Sequence, residues 1–275
     1  MQDAIPNDAY TIIIGAMKCG TTSLYSYLKG HPEICPASVK EPEFFSENQG
    51  HGVEVEHYND LWSFDSSVHK CALEASTGYT KFPSEQNVPG NISGYGVDPK
   101  FIYIIRNPFD RIVSHFNYMQ RDESWLLKVD NAHLINTSNY FLQLEHFREY
   151  FPIENFLILD FDELKDDSVR LIRRVYDFLD LSHDYFPAEF EVKNVTKTTS
   201  RLERGLSGSV IAPLLGYMPK PLKNMGKNLL RRGARTEKDW LKDEEKEFIR
   251  SELKESMYHL HQVYGFDVKK WGFDT

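Results

Sequence analysis

Three side chains in this sequence stand where an apolar run gives way to a loop or a helix, a fourth lies in a proline-bearing loop, and each has chemistry to offer. Lys18 lies in Gly15-Ala-Met-Lys-Cys19-Gly20, behind the apolar run 11–14 and ahead of Thr21-Thr22-Ser23. Arg106 follows a second apolar run, 101–105, and precedes Asn107-Pro108. Glu41 sits in Lys40-Glu-Pro-Glu-Phe-Phe45, and Glu74 ends the run 71–74. An ammonium and a guanidinium can hold anionic groups, and a carboxylate beside a hydroxyl can take its proton. The two cations therefore suit an anionic ligand.

Something must hold the cations in place. The run 11–14 reads as a short buried strand that stops at Gly15, and beyond Gly20 the apolar positions Leu24, Tyr25, Tyr27 and Leu28 return at helical spacing. A strand that passes through a glycine-bounded loop into a helix start aims backbone N–H groups and the positive end of the helix dipole at one point, an anion site. Gly15 and Gly20 have the separation of the two glycines of a nucleotide P-loop. Thr21 occupies the place of that motif's lysine, however, and the lysine has moved into the loop at Lys18. An ordinary ATPase is a poor reading of this arrangement. Cys19, in the same loop, reads as a small residue that fits there rather than as a nucleophile.

Residues 101–118 repeat the arrangement. Pro108 suits a first helical turn, Asn107 suits its N-cap, and Ser114 lies two turns along on the side that Arg106 faces. Two anion sites, each on its own strand-helix junction, point to one ligand carrying two separate anionic groups.

The rest of the chain bounds the reading. Its 275 residues include 32 Lys and Arg against 41 Asp and Glu, a net charge of −9, which argues against a general nucleic-acid binder. Three scattered cysteines give neither a disulfide framework nor a zinc site. No apolar run is long enough to span a membrane and no leader is evident, so a cytoplasmic protein is expected, with the excised catalytic part of a secretory-pathway enzyme as the alternative. Strand candidates 11–14, 71–74, 101–105 and 156–159 alternate with helical patterns, which predicts a three-layer α/β fold with a mostly parallel central sheet between helices. Val169, Ile172, Val175, Tyr176 and Leu179 mark one apolar helix face. Ile249, Leu253, Met257, Leu260 and either Val263 or Tyr264 mark another. No linker or repeat divides residues 1–275, so a single domain is expected, with 200–230 as a lid, a membrane-surface patch or a packed insert.

The motif Lys18-Cys19-Gly20-Thr21-Thr22-Ser23 between strand and helix resembles the 5′-phosphosulfate loop of sulfotransferases that use 3′-phosphoadenosine 5′-phosphosulfate (PAPS). Arg106 and Ser114 have the spacing of the same family's 3′-phosphate motif, and Arg231-Arg232-Gly233 resembles its Arg-Lys-Gly, with Arg232 in place of lysine. The resemblance runs loosely from Tyr10 to Trp271. It implies a P-loop-like sulfotransferase fold, PAPS as cosubstrate, adenosine 3′,5′-bisphosphate as product and no metal. It gives Lys18 the sulfuryl and leaving-group oxygens. It makes Glu41 the first candidate base, because Lys-Glu-x-x-Phe-Phe is similar to the loop of heparan-type and tyrosyl-protein sulfotransferases, and Glu74 the second. Residues 138–143 resemble a helix lining the acceptor cleft of glycan sulfotransferases. The expected acceptor is a hydroxyl of a glycan or of a carrier-bound acyl chain; no nucleic acid is expected as a partner. A magnesium-dependent small-molecule kinase and a catalytically silent nucleotide-binding module remain as other readings.

Overall fold

A computed structural model describes residues 4–47, 55–119, 131–187 and 241–275 of the chain. Its centre is a five-stranded sheet in the order β2-β3-β1-β4-β5, in which every pairing is parallel. The strands are β1 (Tyr10–Gly15), β2 (Ile34–Pro36), β3 (Cys71–Ala75), β4 (Lys100–Ile105) and β5 (Phe156–Asp160). Continuous apolar runs form the three middle strands because helices cover both faces of a parallel sheet. All of β1 and β3 is buried, as is β4 beyond Lys100. Since the strands run the same way, the loops after β1, β3 and β4 leave one edge of the sheet together, where ligands of open α/β sheets bind.

The helices are α1 (Thr21–Leu28), α2 (Val88–Tyr95), α3 (Pro108–Met119), α4 (Ala132–Asn136), α5 (Tyr140–Arg148), α6 (Phe161–Asp166), α7 (Ser168–Leu179) and α8 (Asp243–Tyr264) among the described residues. The start of α3 follows its sequence signals: Pro108 is its first residue, and the Asn107 side chain accepts from the Phe109 N–H at 3.0 Å. On α7 the buried stripe is Leu171, Ile172, Val175, Tyr176 and Leu179, while Val169, expected inside, is exposed. Leu171 takes its place because the buried arc turns slightly from the one the spacing suggests. On α8, Ile249, Leu253, Met257 and Leu260 are buried as expected. The choice at its end falls on Tyr264, whose hydroxyl donates to Glu145 at 3.2 Å, and Val263 is exposed. β2 was not foreseen as a strand; it is three residues long and pairs only with β3. Residues 200–230 lie outside the described residues.

No helix among the described residues is long and apolar enough to cross a membrane. The three cysteines are unpaired and buried: Cys19 beneath the loop after β1, Cys35 in β2 and Cys71 at the start of β3.

Candidate active site

The loop between β1 and α1 is held from below. The Ala16 N–H donates to the Ile104 carbonyl of β4 at 2.8 Å, and the Cys19 N–H donates back to Ala16 at 3.1 Å. This turn puts Lys18 in the left-handed region, φ 72°, a conformation that costs a side-chain-bearing residue about 1 kcal/mol or more and persists only where its surroundings impose it. The N-cap of α1 is Gly20, φ 89°, which has no side chain to satisfy the helix's first N–H groups. A Cβ at Gly20 would stand 2.8 Å from the ring of Phe161, so the close approach of α6 also demands glycine. The ammonium of Lys18 lies 4.6 Å from the ring centroid of Tyr118, which α3 presents one turn beyond Ser114. Cys19 is fully buried, and burial raises its thiol to about 11, as a packing residue rather than a nucleophile.

The second junction adjoins the first because β4 pairs directly with β1. Arg106 leaves the end of β4, stacks at 5.1 Å over the Phe161 ring and lies 3.8 Å from Asp110. Its carbonyl accepts from the Tyr140 hydroxyl at 2.7 Å. Ser114 is buried on α3, eight residues after Arg106. Phe161, the first residue of α6, touches both sides of this region: its ring packs over Gly20 and carries the Arg106 guanidinium.

On the other side of β1 lies β3, and the loop bearing Glu41 is tied to it. The Glu41 N–H donates to the Ala75 carbonyl at 2.9 Å, so its backbone stands beside the β3 residue that pairs with Ile13. Glu41 has φ 59°, Glu43 φ 48°, and the Glu41 side chain pairs with Lys40 while staying 25% exposed. The loop is pinned further on: the Glu43 N–H donates to Ser76 Oγ at 3.1 Å, and the buried Glu43 carboxylate accepts from the Gly78 N–H at 3.0 Å. Phe45 packs 4.5 Å from the Tyr58 ring centroid, and its N–H donates to the Tyr79 hydroxyl at 3.2 Å. Lys18, Glu41 and Glu43 are three of four left-handed non-glycine residues found among the described residues, and all three belong to these two loops.

Glu74 has a different setting. It is fully buried, accepting from the Tyr58 hydroxyl at 2.8 Å and from Ser76 Oγ at 3.0 Å. Burial pushes its carboxyl up to about 7 against the lowering effect of those hydrogen bonds, and the charge of Glu43 adds to the rise. Ser76 thus joins the two carboxylates, donating to one and accepting from the backbone of the other.

Sequence reasoning passed over Glu43 and also Arg111. Arg111 is 1% exposed on α3, and it donates from Nε to the Met17 carbonyl at 3.2 Å. Its Nη1 donates to Thr137 Oγ1 at 2.7 Å and Ser138 Oγ at 3.0 Å, and Nη2 lies 3.1 Å from His115 Nδ1. Burial first, then the Arg111 charge, keep His115 neutral, so it can accept that bond. Arg231, Arg232 and Gly233 lie outside the described residues. Among the described residues no group of three or more His, Cys, Asp or Glu could hold a metal ion.

With this geometry, comparison with known proteins is specific. Residues 8–203 match the model of the sulfotransferase domain. The chain belongs to the sulfotransferase domain family. The human heparan sulfate glucosamine 3-O-sulfotransferase 3B1 is 30% identical over 197 residues, covering 64% of this chain and 48% of the relative. The human 3-O-sulfotransferase 5 is 28% identical over 198 residues, covering 66% and 56%. The chain thus spans about half the length of these relatives. Its fold is that of solved sulfotransferases. A structure from Alicyclobacillus acidocaldarius superposes with a TM-score of 0.68 at 21% identity, covering 98% of this chain and all of the other. A mouse sulfotransferase complexed with PAP superposes with a TM-score of 0.51 at 16% identity, covering 97% and 88%. The expected P-loop-like α/β fold therefore holds, with the sheet wholly rather than mostly parallel.

Proposed function

We propose that this sulfotransferase-family chain transfers a sulfuryl group from PAPS to a hydroxyl of a glycan. One observation carries the reading: the order β3-β1-β4 sets a carboxylate-bearing loop, a lysine loop and an arginine-serine junction side by side along one sheet edge. That is the order in which an acceptor hydroxyl, a transferring group and a nucleotide's 3′-phosphate would lie. The resemblance to enzymes named for heparan sulfate glucosamine favours a sugar hydroxyl over a carrier-bound chain.

In this reading the Lys18 loop and the first N–H groups of α1 hold the 5′ end of the nucleotide. Arg106 and Ser114 hold the 3′-phosphate, with Arg231, Arg232 and Gly233 as further contacts. Glu41 takes the acceptor proton as the new S–O bond forms. The S–O bond to the phosphate breaks, and the electron pair goes to the phosphate oxygen, where Lys18 offsets the growing charge. Partial exposure lets Glu41 meet an acceptor. Glu74, sealed from solvent behind Tyr58 and Ser76, serves instead to hold the β3 end against the Glu41 loop.

Calorimetric titration without magnesium tests the nucleotide assignment. Adenosine 3′,5′-bisphosphate should bind tightly and ATP weakly, and Arg106→Ala should weaken the bisphosphate by about tenfold or more. Preference for ATP, restored by magnesium, would favour the kinase reading. Unchanged affinity in Arg106→Ala would remove the 3′-phosphate assignment.

A further inference from the structure

We infer that Arg111 is the positioning residue of the Lys18 loop, and that its charge is neutralised by the 5′-phosphosulfate of the nucleotide rather than by the protein. The inference rests on the PAPS reading and adds a residue to it. A guanidinium that is 1% exposed must find both hydrogen bonds and a counter-charge, because an isolated buried charge is costly. Arg111 has the first. Its partners are the Met17 and Leu134 carbonyls, the Thr137 and Ser138 hydroxyls and neutral His115. Every one of them is uncharged, and no carboxylate pairs with Arg111 among the described residues.

Position decides what the counter-charge is. The Nε bond goes to the carbonyl of Met17, the residue before Lys18, while β4 holds Ala16 through Ile104. The turn that forces Lys18 left-handed is therefore fastened at two points, one to the sheet and one to α3. A cation fixed beneath that turn attracts whatever anion the loop's N–H groups bind above it, with little screening by water. Arg106, by contrast, has Asp110 beside it and serves the other end of the ligand. The two arginines, five residues apart on one strand-helix junction, thus divide a doubly anionic nucleotide between them.

Substitutions that separate charge from hydrogen bonding test this. Arg111→Gln keeps donors and loses the charge; Arg111→Lys keeps the charge and loses the fork. Affinities for adenosine 3′,5′-bisphosphate and for adenosine 3′-monophosphate are measured on each, with thermal unfolding to establish the folded fraction. Arg111→Gln should lose about tenfold for the bisphosphate and less than about twofold for the 3′-monophosphate, and Arg111→Lys should recover most of the loss. Equal losses in both variants, or equal losses for both ligands, would reduce Arg111 to a scaffold residue and overturn the inference. Should neither variant fold, the 15N resonance of Arg111 Nε in the wild-type chain gives the answer: it should shift on adding the bisphosphate and stay in place with the 3′-monophosphate, and the reverse overturns the inference. A wild-type chain that binds neither ligand would instead defeat the PAPS reading itself.

Discussion

Glu41 and Glu74 are both carboxylates near one sheet edge, and their surroundings differ: one is partly exposed, the other sealed. Glu41 is held by its backbone to Ala75, stays a quarter exposed and carries a left-handed φ that a loop adopts only when something enforces it. Glu41→Gln should lower kcat by about a hundredfold or more with nucleotide affinity unchanged, read by initial rates and calorimetry on the same preparation. A variant within a few fold of wild-type kcat would move the base elsewhere. Lys18→Ala should also fall mainly on kcat, since in the proposed mechanism the charge it meets grows in the transition state. The junctions bearing Lys18 and Arg106 were legible in the sequence because glycine spacing and a proline at N1 advertise backbone geometry, whereas Glu41 and Glu74 came forward only through the family resemblance. Arg111 and Glu43 were not, although both lie inside the motifs that were read. A charged residue's type says nothing of its burial, which for Arg111 depends on Thr137 and Ser138 arriving from α4 and its end.

At the scale of elements, the loop 40–46 keeps its shape by gripping the segment after β3. Gly78 is the tight point, since a Cβ there would come within 2.5 Å of the Glu43 carboxylate. Gly78→Ala should therefore push Glu43 off the Gly78 N–H, destabilise the chain by about 1–3 kcal/mol and lower activity by loosening Glu41, without altering bisphosphate affinity. Denaturant melts and turnover on one sample check it; an active variant of unchanged stability would show that the grip is dispensable. The three inner strands were readable because parallel strands buried on both faces are largely apolar runs, as 101–105 is, and 156–159 carries such a run although β5 is an edge strand and only partly buried. β2 was not, because an Ile-Cys-Pro edge strand with one neighbour needs too little apolar sequence to stand out. The shift from Val169 to Leu171 on α7 shows the same limit: spacing fixes a face only to within part of a turn, and the neighbours of the helix choose the rest.

Stability against pH belongs to the whole molecule, and one buried carboxyl should mark it. Glu74 is raised from 4.5 to about 7 on folding, so the folded chain keeps its proton where the unfolded chain has released it. That contribution is fully present below about pH 4.5 and lost as pH rises through 7, a fall of at most about 3–4 kcal/mol at about 1.4 kcal/mol per pH unit. Urea melts across that range should show the wild type losing stability relative to Glu74→Gln; parallel curves would mean the carboxyl is ionised throughout. The cysteines offer a different view of the same molecule. Each is walled off at a different depth from the ligand edge: Cys19 under the lysine loop, Cys35 on the outer strand, Cys71 at the far end of β3. A thiol reagent can reach them only when the protein around them opens, so the chain carries three clocks for its own local breathing. Nucleotide should slow the Cys19 clock far more than the other two, and the ratio of labelling rates would then time the loop's opening with no residue changed.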